Sequence, residues 1–145
     1  VPEKEYLIPI GESNVVHEGN DVTLVSFGKM MKVAEETFNV AKKENISVEV
    51  IDLRSVRPID YDSIVKSVKK TNRLVIIEEA WPLASISSEI SHHIQRFAFD
   101  YLDAPVHRIT CEDVPFHYAP TLIKEILPSV EKAMKAIKSV TYKKN

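Results

Sequence analysis

Polar residues that could carry chemistry collect at the carboxyl ends of three of the predicted strands. They are Asp52 and Arg54, Glu78 and Glu79, and Thr110 and Asp113. The carboxyl ends of parallel strands share one edge of a sheet, and open α/β sheets bind small ligands at that edge. A small-molecule site centred on Arg54 is therefore one hypothesis. We favour the alternative, in which Arg54 forms ion pairs with Asp52 and Asp60 or faces another subunit, because no nucleophile accompanies it.

The neighbouring carboxylates Glu78 and Glu79 end the third predicted strand. Adjacent side chains of a strand point to opposite faces of the sheet, so the two could act on one substrate as an acid and base pair only if the strand had already ended. We predict separate roles, with one carboxylate buried in a hydrogen-bonded or ionic contact and the other in solvent.

The histidines and glycines lack the spacing of metal and nucleotide sites. None of the five histidines has a partner four residues away, the spacing that lets one helix face hold a metal ion. We interpret His92 and His93 as surface or interface side chains, since neighbours on a helix point about 100° apart. The three glycines form neither a dinucleotide-binding nor a Walker motif, which excludes nucleotide binding by those routes.

Cys111 is the one cysteine, so the chain cannot form an internal disulfide. Glu112 and Asp113 follow it, and two neighbouring carboxylates should raise the pKa of the thiol and suppress the thiolate. We therefore do not expect a catalytic cysteine.

Strand and helix patterns alternate along the chain and must position these residues. Predicted strands cover 22–27, 48–53, 73–79 and 106–110. The helical stripes between and after them are Met30, Ala34, Phe38 and Ala41, then Tyr61, Ile64, Val65 and Val68 after Asp60, then Ile86, Ile90, Ile94 and Phe97, and last Val130, Ala133, Met134 and Ile137 after Pro128. This alternation predicts a three-layer α/β/α sandwich with a mostly parallel sheet. We assign 21–145 to this domain and 1–20 to a linker and edge segment that could form a short hairpin.

The composition is that of a globular domain. The chain has 145 residues, of which 44% are hydrophobic and 28% charged, enough to bury an apolar core without metal or disulfides. No apolar run approaches the roughly 20 residues of a membrane span. The net charge of -2 gives no bulk attraction to phosphate backbones, so nucleic acid is not an expected partner. The chain begins at Val1 rather than Met, and we expect it to be part of a longer protein.

Four motifs, in their order and spacing, resemble one family. They are VIDLRSVRPID at 50–60, EEAWP at 78–82, LDAPV at 102–106 and DVPFHYA at 113–119. PIG at 9–11 and HEGNDV at 17–22 match as well. Together they resemble the transketolase C-terminal domain of the β subunits of 2-oxo acid dehydrogenases, over nearly the whole chain.

Within that family the motifs are similar to the pyruvate branch rather than the branched-chain one. Asp103, Asp113, Tyr118 and Ala119 carry this distinction. Two departures from the family pattern are His117, where proline is usual, and the segment 83–86, where the turn is usually richer in glycine.

The resemblance implies a division of labour within a larger enzyme. Such an enzyme decarboxylates pyruvate with thiamine diphosphate and magnesium and acetylates lipoyl groups, and its cofactor lies between an α subunit and the amino-terminal domain of β. On that basis we expect no catalytic, cofactor-binding or metal-binding residue here, and no activity from the isolated domain. The family also implies a location in the bacterial cytoplasm or the mitochondrial matrix.

The same resemblance implies three partners: a second β subunit, the α subunit and the subunit-binding domain of the acyltransferase core. Asp103 is the first candidate for contact with a basic patch on that core, and the carboxy-terminal residues Lys143, Lys144 and Asn145 are the second. The alternative role for Asp103 is a turn residue that caps its own backbone beside Pro105.

The remaining interface candidates are Arg54, Trp81, Pro82, Asp113, Tyr118 and the helix at 86–97. Aromatic anchors dominate such surfaces, although Trp81 could instead belong to the core.

Two other hypotheses stay open at this stage. The first is a stand-alone small-molecule-binding module that uses the sheet edge around Arg54 and Glu79. The second keeps the family and changes the member, to a branched-chain 2-oxo acid dehydrogenase or a transketolase.

Overall fold

The computed structural model describes Glu3 and residues 5 to 142 of the chain. Within that part, five strands form one sheet in the order β1-β3-β2-β4-β5, with β1 antiparallel to β3 and the other neighbours parallel. The strands are β1 (Asn14–His17), β2 (Val22–Ser26), β3 (Val48–Asp52), β4 (Leu74–Ile77) and β5 (His107–Ile109). The α-helices are α1 (Met31–Lys43), α2 (Tyr61–Thr71), α3 (Ile86–Phe97), α4 (Pro120–Ile126) and α5 (Val130–Val140).

Two apolar cores lie on opposite faces of the sheet. Helices α1 and α5 pack on one face, where Leu24 and Val75 are buried, and α2 and α3 pack on the other, where Val25 and Ile76 are buried. Successive residues of β2 and of β4 therefore enter different cores, which explains why both strands are almost continuously apolar. The predicted three-layer α/β/α sandwich with a mostly parallel sheet is confirmed.

Side-chain caps fix where three of the helices begin. The carboxylate of Asp60 accepts a hydrogen bond from the Ser63 amide at the start of α2, as predicted. Burial acts to raise the pKa of Asp60, but hydrogen bonds from Ser63 and Ser13 outweigh it and lower the pKa to about 2. Ser85 caps α3, and Ser129 caps α5 one residue after the predicted start at Pro128. Within the described residues, no helix has the length and apolar character needed to cross a membrane.

Two elements differ from the sequence prediction. The described part of residues 1–20 contains one strand, β1, which pairs with β3 instead of forming a hairpin within that segment, and the connection after β1 crosses the start of β3. The amides of Asn20 and Asp21 donate to Ser47 there, and a side chain at Gly19 would collide with the backbone of Val48, 2.1 Å away. The short helix α4, which begins at Pro120, was not predicted.

A buried carboxylate lies between β3 and α2. Glu49 is 3% exposed, and its only cationic partner among the described residues is Lys70. The Lys70 ammonium also contacts the exposed carboxylate of Glu18 at 2.7 Å. The hydrogen bonds that Lys70 donates to Glu18 and Glu49 raise the pKa of the lysine. The lysine therefore joins one buried and one exposed carboxylate across two elements.

Candidate functional site

The two carboxylates that follow β4 lie in different environments, as predicted. Glu78 is 1% exposed and accepts hydrogen bonds from the amide of Ser87, at 3.1 Å, and from the Ser87 hydroxyl. Glu79 is exposed and pairs with the Lys29 ammonium at 3.3 Å. The prediction of one buried and one solvated carboxylate is confirmed.

Glu78 holds the loop that follows β4. Ser87 lies in the first turn of α3, where unpaired amides and the helix dipole favour a negative charge. The carboxylate therefore connects the end of a strand to the start of a helix nine residues later. The second oxygen of Glu78 is buried and has no hydrogen-bond partner among the described residues. The loop at 80–85 is thus closed by a buried charged contact at its base.

Arg54 does not form the ion pairs predicted for it. Its side chain is exposed and has no ion pair among the described residues, while its amide donates to Asp52 at 3.0 Å. The carboxylate of Asp60 instead accepts hydrogen bonds from the hydroxyls of Ser13 and Ser63 at the start of α2. The ion-pair interpretation is therefore wrong, and the contact of Arg54 with another subunit stays a prediction.

The small-molecule hypothesis needs Arg54 and Glu79 to work together. Arg54 follows β3 and Glu79 follows β4, and β2 lies between those two strands. The strand ends are therefore roughly 10 Å apart. Glu79 is also paired with Lys29, and no hydrogen bond or ion pair joins the side chains of Arg54 and Glu79.

An exposed apolar surface covers two loops at this end of the sheet. We call it the aromatic surface and define it by Trp81, Val114, Phe116 and Tyr118. Trp81 is 53% exposed and its indole N–H donates to the carbonyl of Val114 at 3.3 Å, which ties the loop after β4 to the loop after β5. Trp81, Val114 and Phe116 line one shallow depression together with Asp113 and Pro115. The core alternative for Trp81 is wrong, because half of its side chain is in solvent.

Asp103 lies at the opposite end of the sheet, before β5. Its carboxylate pairs with Arg73 at 3.2 Å, and its carbonyl accepts a hydrogen bond from the Tyr142 hydroxyl at 2.7 Å. The carboxylate does not cap its own backbone, so that alternative is wrong. Contact with a basic patch on a partner stays a prediction, and the second candidates, Lys143, Lys144 and Asn145, lie outside the described residues.

The interface candidates are therefore divided between two ends of the fold. Trp81, Asp113 and Tyr118 lie after β4 and β5, whereas Asp103 lies before β5. The sequence predicts both groups as contact residues but gives no indication that they are apart.

Cys111, two residues after the end of β5, is buried. The residue is 3% exposed, and burial raises the pKa of the thiol, with a further contribution from the charge of Glu79. The direction of the shift is as predicted, but the predicted cause, the charges of Glu112 and Asp113, is wrong. A buried thiol of raised pKa is a poor nucleophile.

Two histidines of the described residues, His17 and His93, stack on aromatic rings. His93 stacks on Tyr61 with ring centres 3.8 Å apart, and burial lowers the pKa of its ring. His17 stacks on Phe38 and contacts Glu35 at 2.8 Å. His92 is exposed on α3. Residues 5 to 142 contain no cluster of three histidine, cysteine or carboxylate side chains suited to a metal ion.

Three cations at or near the carboxyl end of the sheet are already engaged within the chain, whereas Arg54 at the same end has no ion pair among the described residues. Lys29 pairs with Glu79, Lys132 pairs with Glu112, and Arg108 donates to the Ser88 hydroxyl at 2.5 Å. A diphosphate group bound through magnesium requires cations, oxygen ligands and backbone amides that converge on one point. Lys29, Lys132 and Arg108 do not form such a set with one another, and the absence of thiamine diphosphate binding by this domain stays a prediction.

The sequence analysis missed two contacts that shape this end of the fold. One is the contact of Glu78 with Ser87, and the other is the contact of Arg108 with the carbonyl of Pro82 at 3.0 Å. The first had a signal in the sequence, because a carboxylate ends a strand shortly before the serine-rich start of a helix at Ser85. The second had none, since it depends on how β5 lies against the loop that follows β4.

The family is decided by a match over most of the chain. The model of the family described as "Transketolase, C-terminal domain" matches residues 11–133. The chain belongs to the transketolase C-terminal domain family. The resemblance seen in its motifs is therefore confirmed.

Among the relatives of this transketolase C-terminal domain are β subunits of pyruvate dehydrogenase. The pyruvate dehydrogenase E1 component subunit beta of Rickettsia felis is 45% identical over 142 residues, which cover 98% of this chain and 44% of the relative. The mitochondrial subunit of the same name from Dictyostelium discoideum is 46% identical over 97% of this chain and 40% of the relative. The chain spans less than half the length of these relatives.

Solved structures share the fold. A split gene transketolase, described as an inactive beta4 tetramer, matches 93% of this chain and 44% of its own with a TM-score of 0.82 and 25% identity. The 2-oxoglutarate:ferredoxin oxidoreductase from Magnetococcus marinus matches 90% of this chain with a TM-score of 0.57 and 15% identity, which shows a likeness of fold alone.

Proposed function

We propose that this chain is the carboxy-terminal domain of a pyruvate dehydrogenase E1 β subunit and that its role is assembly. Relatives with that name align over nearly the whole chain at 45% and 46% identity, which supports the proposal. The single observation that carries the assembly role is the aromatic surface on the loops after β4 and β5. Large aromatic side chains left in water at one site are typical of protein interfaces.

The aromatic surface is prepared for binding before a partner arrives. The hydrogen bond from Trp81 to Val114 joins its two loops, and Glu78 holds the base of the first loop through Ser87. Loops that are already ordered lose less conformational entropy on association. Asp113 at the border of the depression adds a charge that can select a basic partner.

The proposed partners are the α subunit, a second β subunit and the subunit-binding domain of the dihydrolipoyl acyltransferase. A role in self-pairing draws support from the split gene transketolase relative, which is described as a beta4 tetramer. In this proposal thiamine diphosphate and magnesium belong to the whole enzyme and bind outside this domain. The whole enzyme decarboxylates pyruvate and acetylates lipoyl groups, in the bacterial cytoplasm or the mitochondrial matrix.

A domain exchange tests this function. This chain replaces the matching segment of the Rickettsia felis β subunit, and the chimera is produced with the Rickettsia felis α subunit. We expect the chimera to assemble with α, measured by sedimentation velocity, and to decarboxylate pyruvate. A soluble chimera that never joins α would refute the proposal.

Variants of the chimera test the aromatic surface itself. Truncation of a central interface aromatic costs about 2 kcal/mol, so Trp81→Ala should weaken assembly about thirtyfold. The matched control is Val15→Ala, which shortens an exposed apolar side chain on β1 at the far edge of the sheet. Equal effects of the two substitutions would contradict the assignment of the aromatic surface.

A further inference from the structure

The outer edge of β5 carries backbone groups that no other strand of the described residues pairs. β5 is the last strand in the sheet order, and its one strand neighbour there is β4. The amide of Glu78 donates to the carbonyl of Ile109 at 3.0 Å, so Ile109 faces β4. Successive residues of a strand direct their N–H and C=O groups to opposite sides. The N–H and C=O of Arg108 therefore point away from the sheet.

The same alternation continues beyond both ends of β5. The amide of Cys111 donates to the carbonyl of Ala80 at 2.9 Å, so Cys111 also faces the inner side. Thr110 and Val106 accordingly face outward with Arg108. Three residues spaced two apart present a row of donors and acceptors roughly 13 Å long.

Two grooves flank this outer edge, one on each face of the sheet. On the α3 face, the groove is apolar along Phe99, Leu102, Pro105 and Val106 and has a volume of about 510 Å³. On the α5 face, the groove has a volume of about 500 Å³ and is lined by His107, Lys132, Lys135, Ala136 and Ser139 among others. Side chains of an added strand would alternate between these two grooves.

We propose that the outer edge of β5 binds an extended segment of a partner protein as a sixth strand. The side chains of that segment alternate between apolar and acidic. This inference goes beyond the assembly role of the aromatic surface and uses different residues. The backbone row of Val106, Arg108 and Thr110 supplies affinity, and the two grooves supply selection, as in other cases of strand addition.

The charges of the two grooves identify the alternating side chains. Lys135 is exposed and forms no ion pair among the described residues, whereas Lys132 is held by Glu112 at 2.8 Å. An acidic side chain opposite Lys135 gains a partner without breaking an existing one. On the other face, Phe99 is 63% exposed and an apolar side chain would cover it. Glu112 and Asp113 line the far end of the Lys135 groove, so the acidic residue belongs opposite Lys135 and away from that end.

A second copy of β5 fits this edge poorly. In the antiparallel pairing centred on Arg108, the two copies of that arginine would lie directly opposite each other, and like charges in that position are destabilising. A short, charged edge strand is also a common device against uncontrolled pairing. The edge therefore favours a segment with matching side chains over another copy of itself.

The test uses a blocked peptide of seven residues in which valine and glutamate alternate, beginning and ending with valine. Binding to the full chain is followed by NMR, through amide shifts and hydrogen exchange. We expect slowed exchange of the Arg108 and Thr110 amides on binding. A peptide with lysine in place of glutamate should bind at least about fivefold more weakly, because it meets Lys135 with the same charge.

Two pairs of variants separate the backbone row from the charge. Thr110→Pro removes an outward N–H and should weaken peptide binding at least about tenfold, while Thr110→Ala keeps that N–H and should leave binding within about twofold. Lys135→Glu should weaken binding about fivefold, and Lys32→Glu, an equal charge change on the exposed start of α1, should not. Peptide binding without protection of Arg108 and Thr110, equal binding of the lysine peptide, or no binding at millimolar peptide would each overturn the proposal.

Discussion

The substitution Glu78→Gln tests whether the buried charge at the end of β4 stabilises the fold. Glutamine keeps the size and shape of the side chain and removes its charge. Two hydrogen bonds, from the amide and the hydroxyl of Ser87, then lose a charged acceptor. The new amide group also replaces the second carboxylate oxygen, which is buried without a partner among the described residues.

The expected loss follows from the strength of these contacts. A hydrogen bond to a charged group contributes about 1.5–3 kcal/mol and a neutral one about 0.5–1.5 kcal/mol, so two bonds lose roughly 2 kcal/mol together. Removal of the charge from the start of α3 adds about 0.5 kcal/mol. Relief of the burial cost of the carboxylate offsets part of this sum. We therefore expect the free energy of unfolding to fall by about 1–2 kcal/mol.

The neighbouring residue supplies the control. Glu79→Gln removes the same charge one residue later, from an exposed pair with Lys29 that is worth at most about 0.5 kcal/mol. Urea unfolding at pH 7, followed by circular dichroism, measures both variants. Equal losses, or a gain in stability for Glu78→Gln, would refute the reasoning, because a gain would mean that the burial cost of the carboxylate outweighs its two hydrogen bonds.

Three further predictions concern other parts of the chain. Lys70→Met leaves the buried Glu49 without its cation and should reduce the free energy of unfolding by about 2–3 kcal/mol. Glu18→Gln removes the exposed partner of the same lysine and should cost under about 0.5 kcal/mol. Urea unfolding measures both variants, and similar losses would contradict the account. Asp60→Asn should lower the free energy of unfolding by about 1 kcal/mol near neutral pH. The difference between variant and parent should shrink as pH falls from about 4 through about 2, because the lowered pKa of Asp60 stabilises the fold only while the carboxylate is ionised. A difference in free energy of unfolding that stays constant across that pH range would count against this prediction. The chain by itself should not bind thiamine diphosphate with magnesium, and calorimetry that detects micromolar binding would show that the residues do fit the cofactor.

The layered fold could be predicted from the sequence because its strands are buried on both faces. Near-continuous apolar runs such as Leu74 to Ile77, each followed by an apolar helical stripe, leave few alternatives to a covered parallel sheet. The α2 start was also predictable, since Asp60 precedes the stripe directly. β1 was harder to place, because its pairing depends on where the chain crosses β3. Helix α4 has seven residues, and such a short helix has too few turns to show an apolar period.

The candidate site was predicted less completely than the fold. Residue type correctly separated the roles of Glu78 and Glu79, since alternation along a strand is a local property. The prediction of ion pairs for Arg54 was wrong because the carboxylate of Asp60 caps the start of α2. The separation of Trp81 from Asp103 depends on the direction of β4 and β5, which only the sheet topology fixes.

The placement of Trp81 and Asp103 at opposite ends of the sheet has a consequence for the binding of partners to this domain. The length of β4, about 13 Å, lies between the two ends. Two ligands, one at each end, would contact different residues of this domain. The sheet between them then serves as a rigid spacer that sets how far apart two bound neighbours are held.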